Sequence, residues 1–294
     1  MKPLHLISAV CFAVLCAAAP VRAEPMEDFS KSGKALIARD YDTAFSLLKP
    51  MAESGNVLAQ YNLATIYNGN FGYKANFPEA LKWYKRAAEG GMKEAQAIVG
   101  DKYYDGTGAP QDFTEAAKWY KMAVAQNFAP AVGSLGEMYE FGKGVEANPA
   151  EALRLYKMAA NEGNPLAQVN AGRMYATGSG VTQDAAQAVQ YFEQAANQGD
   201  VGGMMWMGSA YETGSGVKKD LVQAYMWTAV AQKTAKLVQV ADLVDGFKAA
   251  LDNLRYNMTT DQVAVAEQLA KNWRLGGNNM APPAALRTPP ATKK

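Results

Sequence analysis

Small residues and tyrosines recur along this chain at a constant spacing of 36 residues. Two series show the spacing: Ala59, Ala95, Ala131, Ala167 and Gly203, and Tyr67, Tyr103, Tyr139, Tyr175 and Tyr211. A fixed spacing without slippage means that each unit is one supersecondary piece stacked on its neighbour in the same way. The pattern therefore predicts a repeat array.

Each unit is predicted to be two antiparallel helices joined by a glycine turn. In the third unit Ala95 to Asp105 forms the first helix, Gly106-Thr107-Gly108 the turn and Phe113 to Gln126 the second helix. The turn glycines recur as Gly106 with Gly108, Gly142 with Gly144, Gly178 with Gly180, and Gly214 with Gly216. Glycine is favoured there because the chain leaves a helix through backbone angles that are costly for other residues.

The second helices begin on aspartate or asparagine, with glutamate or glutamine three residues later. The pairs are Asn76 with Glu79, Asp112 with Glu115, Asn148 with Glu151, Asp184 with Gln187, and Asp220 with Gln223, and Thr259 with Gln262 has the same spacing. This spacing predicts capping boxes, in which the two side chains satisfy each other's backbone N–H groups. A predicted core series repeats with them: Ala44, Ala80, Ala116, Ala152, Ala188 and Ala224.

The two ends depart from the repeat. Residues 1–23 are predicted to be a signal peptide, because Lys2 precedes an apolar run and Val21-Arg22-Ala23 suits cleavage after Ala23. Residues 24–56 are predicted to be a diverged helix pair that caps five repeats at 57–236. Residues 237–275 are predicted to form two C-terminal capping helices, and 276–294 a disordered, proline-rich tail.

Composition excludes several classes of chemistry. The single histidine and both cysteines, His5, Cys11 and Cys16, lie in the predicted signal peptide, so the remaining chain lacks imidazole, thiols and disulfides. Zinc sites, cysteine nucleophiles and histidine-dependent triads are therefore not expected, and no cofactor is predicted. The net charge of +1 falls to −1 once Lys2 and Arg22 are removed, which gives no case for nucleic acid binding.

No segment approaches the roughly 20 apolar residues of a membrane span, so an integral membrane protein is not expected. The signal peptide predicts a periplasmic or secreted location.

The best-formed unit resembles the Sel1-like repeat, a relative of the tetratricopeptide repeat. It carries Ala131, Leu135, Gly136, Tyr139, Gly142, Gly144, Val145, Asn148, Ala152, Tyr156, Ala159, Ala160 and Gly163. The resemblance implies an all-α, right-handed α-solenoid of antiparallel helix pairs with terminal capping helices. It also implies a non-enzymatic adaptor of the bacterial envelope, in signalling, secretion or cell-wall assembly. A cysteine-rich subgroup has disulfides and an association with penicillin binding, and neither transfers to this chain.

In such repeats the first helices are expected to line a concave groove for a partner. The variable slots on the stripe opposite the packing residues, with one neighbouring slot for Trp206, supply the candidates: Tyr61, Asp101, Tyr104, Glu137, Glu140, Arg173, Trp206 and Glu212. This stripe is acidic in the middle, and Trp206 on a neighbouring slot suits a binding anchor. The predicted partner is a protein or peptide with basic and apolar character. Lysine at 137 and 140 is then expected to weaken capture of the partner and leave the helix content unchanged.

Other interpretations stay open. The acids could form a solvated face, with Trp206 packed under the C-terminal helices. A cell-wall glycan or muropeptide could occupy the groove, held by aromatic and acidic side chains. Glu137 and Glu140 could in principle do acid and base work in a hydrolase, but they lie one turn apart on a helix with no sign of a dry site. The sequence therefore favours a protein that is not an enzyme.

Overall fold

The computed structural model describes residues 23–70, 73–237 and 241–275, except the side chains of 23–26 and 241. Residues 1–22 of the predicted signal peptide and the predicted tail at 276–294 lie outside the described residues. Within these ranges the chain is helical and contains no strand. The helices are α1 Ala23–Ile37, α2 Tyr41–Glu53, α3 Val57–Tyr67, α4 Phe77–Glu89, α5 Lys93–Asp105, α6 Phe113–Ala125, α7 Ala129–Phe141, α8 Pro149–Asn161, α9 Pro165–Thr177, α10 Ala185–Asn197, α11 Val201–Thr213, α12 Leu221–Leu237, α13 Ala241–Tyr256 and α14 Thr260–Asn272.

The helices fall into two compact units, which divide between Met92 and Lys93. Unit one contains α1 to α4, and unit two contains α5 to α14. Inside each unit, helices up to α12 pack on their neighbours in chain order, so helix pairs stack in series. The predicted all-α repeat fold is confirmed.

The last two helices both pack on α12. Trp273, which follows α14, meets the fully buried Trp227 edge to face, with ring centroids 6.3 Å apart. The sequence placed Leu237 at the start of α13, but it ends α12 instead. α12 is one turn longer than α10, and this extra turn, residues 234–237, buries Ala235 in the core beside the C-terminal helices.

The core follows the repeat. All six members of the predicted alanine series are buried: Ala44, Ala80, Ala116, Ala152, Ala188 and Ala224. Glycines of the first helices make room for rings of the second helices, since a Cβ on Gly136 would lie 2.9 Å from Tyr156 and one on Gly172 would lie 2.6 Å from Phe192. The recurring tyrosines of the first helices are only half-buried, from Tyr67 to Tyr211.

Those tyrosines act through their backbone. The carbonyl of each accepts the N–H of the residue that caps the next helix, as in Tyr139 to Asn148 at 2.8 Å and Tyr175 to Asp184 at 2.9 Å. The cap side chains bond to the third N–H of the helix as predicted. The second bond of a capping box, its return half, would run from the backbone N–H of the cap residue to the side chain of the later glutamate or glutamine. At these caps that N–H donates to the tyrosine carbonyl instead. The complete reciprocal box forms at Thr259 and Gln262.

This difference gives a test. Gln187→Ala is expected to change the free energy of unfolding by a few tenths of a kcal/mol, because Tyr175 already holds the cap N–H. Gln262→Ala removes a bond from the Thr259 N–H and is expected to cost about 1 kcal/mol. Urea denaturation followed by circular dichroism measures both changes. Equal costs would mean that the tyrosine carbonyl does not replace the glutamine.

The two turn glycines have different functions. The first of each pair ends a helix in the left-handed region, with φ of 67° at Gly142 and 73° at Gly178. The second also lies at positive φ and packs on the second helix of the preceding repeat. A Cβ on Gly144 would lie 2.2 Å from the Phe113 carbonyl group, and one on Gly180 would lie 2.5 Å from that of Pro149. The second glycine therefore sets the spacing of consecutive repeats.

Candidate functional site

The eight candidate residues lie on first helices, one in unit one and seven in unit two. Tyr61 lies on α3 and packs edge to face on Tyr84, with centroids 5.6 Å apart. The other seven lie on α5, α7, α9 and α11 of unit two: Asp101, Tyr104, Glu137, Glu140, Arg173, Trp206 and Glu212. Contacts described below connect these four helices, and we call their shared surface the first-helix face.

A polar cluster connects α5 to α7. The Tyr104 hydroxyl donates a hydrogen bond of 2.7 Å to Oε1 of Glu137. Lys143, from the turn after α7, donates to the same oxygen at 2.9 Å and to the Tyr104 hydroxyl. Burial alone would raise the pKa of Glu137, but the hydrogen bonds from Tyr104 and Lys143 hold it below its usual value. Glu137 is therefore ionised and paired.

A second cluster connects α7 to α9. Arg173 donates to Oε1 of Glu140, and the Tyr156 hydroxyl donates to Oε2 at 3.0 Å. The Glu140 side chain is only 7% exposed, whereas Glu137 is 44% exposed. Burial, followed by the charge of Glu140, raises the pKa of Tyr156 above its usual range, so the hydroxyl keeps its proton.

Asp101 is also engaged inside the repeat. The Tyr120 hydroxyl donates to its Oδ1 at 2.7 Å, and burial followed by the Asp101 charge raises the pKa of Tyr120. Glu212 lies half-buried near the end of α11. The acidic middle of the face is thus neutralised by cations or hydrogen-bonded by tyrosines of the same unit, and it does not present bare carboxylates.

Trp206 is half-buried and stacks on Phe192 of α10, with ring centroids 5.1 Å apart and ring planes 7° apart. One face of the indole is therefore occupied by the repeat itself. The ring borders the hydrophobic core formed by α10, α11 and α12. Its use as an anchor for a partner stays a prediction.

Sequence reasoning missed an apolar patch on α9 and α11, which consists of Leu166, Val169 and Met205. Leu166 is 65% exposed and Met205 is 43% exposed. A Cβ on Gly202 would lie 3.8 Å from Val169, an ordinary contact distance, which places α9 and α11 side by side here. Leu166 and Val169 are three residues apart, as are Gly202 and Met205, so each pair shares a helix face. The sequence did carry a signal for this patch, because the residue at the position of Val169 varies between the repeats of unit two. The other first helices carry Ala97, Gly133 and Met205 there.

Lys143 was also missed. It stands between the two turn glycines, where the other repeats of unit two carry Thr107, Ser179 and Ser215. A lysine among small hydroxyl residues marks a departure from the repeat framework.

Across the part of the chain that the structure describes, no three histidine, cysteine, aspartate or glutamate residues gather as metal ligands. None of the described helices combines the length and apolar character that a membrane crossing needs.

Comparison with known proteins identifies the repeat. The family model described as "Sel1 repeat" matches residues 31–56, 57–92, 93–128, 130–164, 165–200 and 202–231. A Sel1 repeat protein from Oxalobacter formigenes is 32% identical, with a TM-score of 0.65, over 69% of this chain and 84% of that chain. The c5321 protein, a protective antigen of uropathogenic Escherichia coli with an SLR fold, is 27% identical, with a TM-score of 0.73, over 84% of this chain.

The alignment spans 52%, about half, of the length of c5321. A search of curated proteins found no match. The repeat matches together cover more than half of the residues, and they coincide with the helix pairs described above. The chain belongs to the Sel1 repeat family.

Proposed function

We propose that this protein is a non-enzymatic adaptor of the bacterial cell envelope that binds a protein or peptide segment on the first-helix face of unit two. Sel1 repeat proteins generally mediate protein–protein interaction, and the family is typically a non-catalytic scaffold. The observation that carries the proposal is the apolar patch, where Leu166 and Met205 are exposed on adjacent first helices. The envelope location is inferred from the predicted signal peptide, and fractionation of cells that express the full chain tests it.

The patch indicates which part of a partner would bind most strongly. Complete burial of an exposed leucine or methionine side chain contributes about 1.5–3 kcal/mol. Leu166 and Met205, 65% and 43% exposed, can each contribute a corresponding part of this when a partner covers them. The acids beside the patch contribute less to a basic partner, because Lys143 and Arg173 already neutralise Glu137 and Glu140. A segment with apolar side chains therefore fits this face better than one chosen for positive charge alone.

Selection of random displayed peptides on the full chain tests the face directly, because it does not require the partner to be identified first. We expect selected peptides to be rich in apolar residues, and we expect Leu166→Asp with Met205→Asp to weaken their binding at least about tenfold, since aspartate cannot replace the buried apolar contact. Titration calorimetry with one synthetic peptide measures the change.

Met122→Asp is the matched control, because Met122 is similarly exposed at 38% but lies on the second helix α6. Peptides that bind Leu166→Asp with Met205→Asp as tightly as the unchanged chain would show that the binding surface lies elsewhere.

A further inference from the structure

At the junction between α5 and α7, the ammonium group of Lys143 is surrounded by hydrogen-bond acceptors and aromatic rings. Nζ of Lys143 contacts two oxygens, Oε1 of Glu137 at 2.9 Å and the Tyr104 hydroxyl. Two phenyl rings flank the same nitrogen, with centroids 6.0 Å away at Phe113 and 5.8 Å away at Phe141. A carboxylate, a hydroxyl and aromatic rings around one cation are the groups that recognise ammonium ions in proteins.

The site is open to solvent, unlike the other ion pair of this face. Lys143 and Glu137 are 34% and 44% exposed, whereas Glu140 beside Arg173 is 7% exposed. Phe141 is 60% exposed. An external cation can therefore reach Glu137 and Phe141 without unpacking a helix.

The repeat framework does not require this site. The next two turns of unit two carry Ser179 and Ser215 at the position of Lys143. The slots of Tyr104 and Glu137 hold the ion pair of Glu140 and Arg173 at the α7–α9 junction. At the α9–α11 junction they hold Ala176 and Ser209. The α9–α11 junction thus stacks without a polar pair at these slots. At the α5–α7 junction the pair is also joined by a lysine from the turn, which stacking of the repeats does not explain.

We propose that this cluster is a binding site for a primary ammonium group, which Lys143 fills from within the chain and which a lysine side chain of a bound protein segment can take in its place. The choice of a lysine from a partner rests on the proposed function, but the site itself does not. A primary ammonium fits because both oxygens accept a hydrogen bond from Lys143, and a quaternary ammonium has no N–H to donate.

Removal of Lys143 tests the site with a simple probe. In the full chain with Lys143→Ser, n-butylammonium is expected to bind at least about tenfold more tightly than in the unchanged chain, because the internal competitor is gone. Chemical-shift changes at Tyr104, Phe113 and Phe141 measure the affinity by NMR. Added Glu137→Gln is expected to abolish the gain, and tetramethylammonium is expected to show none.

Arg154→Ser is the control, since it also removes a cation from a glutamate, Glu151, at an exposed i,i+3 pair on α8. A folded Lys143→Ser chain that binds n-butylammonium no better than the unchanged chain would overturn the site, as would a gain that survives Glu137→Gln. If the serine variant does not fold, Lys143→Thr provides the residue found at position 107.

Exchange in the unchanged chain is the second measurement. N-acetyl-lysine amide, added at ten times the dissociation constant that it shows with Lys143→Ser, is expected to displace Lys143 by about half, given the tenfold difference above. The Lys143 Cε–H signals, shifted by Phe113 and Phe141, would then move toward their values in a free lysine. Signals that stay in place would identify a fixed structural contact and overturn the exchange, even if peptides still bind the apolar patch.

Discussion

Gly144→Ala is expected to lower the free energy of unfolding by about 3 kcal/mol or more. The added methyl group must occupy a left-handed backbone position, which costs roughly 1–2 kcal/mol for a residue with a Cβ. It would also lie 2.2 Å from the carbonyl group of Phe113, and overpacking of this kind costs about 1–3 kcal/mol. The obstacle is backbone at the start of α6, so it cannot move aside like the end of a flexible side chain. Urea denaturation followed by circular dichroism measures the loss.

Gly133→Ala is the matched control in the same repeat. Gly133 lies inside α7, and a Cβ added there would meet no atom of another residue within 4 Å beyond its own helix backbone and chain neighbours. Alanine is the better helix former by about 1 kcal/mol, so stability is expected to stay unchanged or to rise. A Gly144→Ala protein that proved as stable as Gly133→Ala would show that the contact between consecutive repeats yields easily.

Glu140→Lys is expected to destabilise the protein by about 3–5 kcal/mol. The carboxylate is nearly buried between the Arg173 guanidinium and the Tyr156 hydroxyl. Lysine would place a second positive charge beside Arg173 and remove the acceptor of Tyr156, and breaking a buried pair in this way leaves an uncompensated charge. Differential scanning calorimetry measures the shift in melting temperature.

Two variants check the cause. Glu137→Lys is expected to cost about 1 kcal/mol, because the Glu137 pair with Lys143 is partly exposed and is solvated more than the Glu140 pair. The swap Glu140→Lys with Arg173→Glu restores opposite charges and is expected to recover part of the loss. A swap as unstable as Glu140→Lys alone would place the cost in packing and not in charge.

For position 140 this differs from the expectation drawn from the sequence alone, which left the helix content unchanged. Glu140 and Arg173 are 33 residues apart, and their pairing depends on how α7 stacks against α9. Spacing within one helix identified Glu140 as a candidate for the groove, but it could not show that a neighbouring repeat supplies a cation. The local pattern therefore identified which residues share this face, but it did not predict that the charge of Glu140 is neutralised by the next repeat.

The fold was more predictable, because its determinants are local. Helix pairs, the turns and the cap side chains at Asn148 and Asp184 follow from residues within a few positions of one another. The return half of the capping box was wrong at these sites, since the competing acceptor, the tyrosine carbonyl, lies nine residues earlier across the turn. The apolar patch was missed because Leu166 lies outside the stripe of slots chosen from the sequence.

The contact made by the second turn glycine joins a repeat only to the one before it, and backbone atoms supply the surface that it meets. Within unit two, duplication or loss of a whole 36-residue repeat would thus leave this glycine contact with a backbone surface to meet at each remaining junction. An insertion of a single residue in the turn would not. This contact therefore constrains the length of each repeat in unit two more than it constrains the number of repeats.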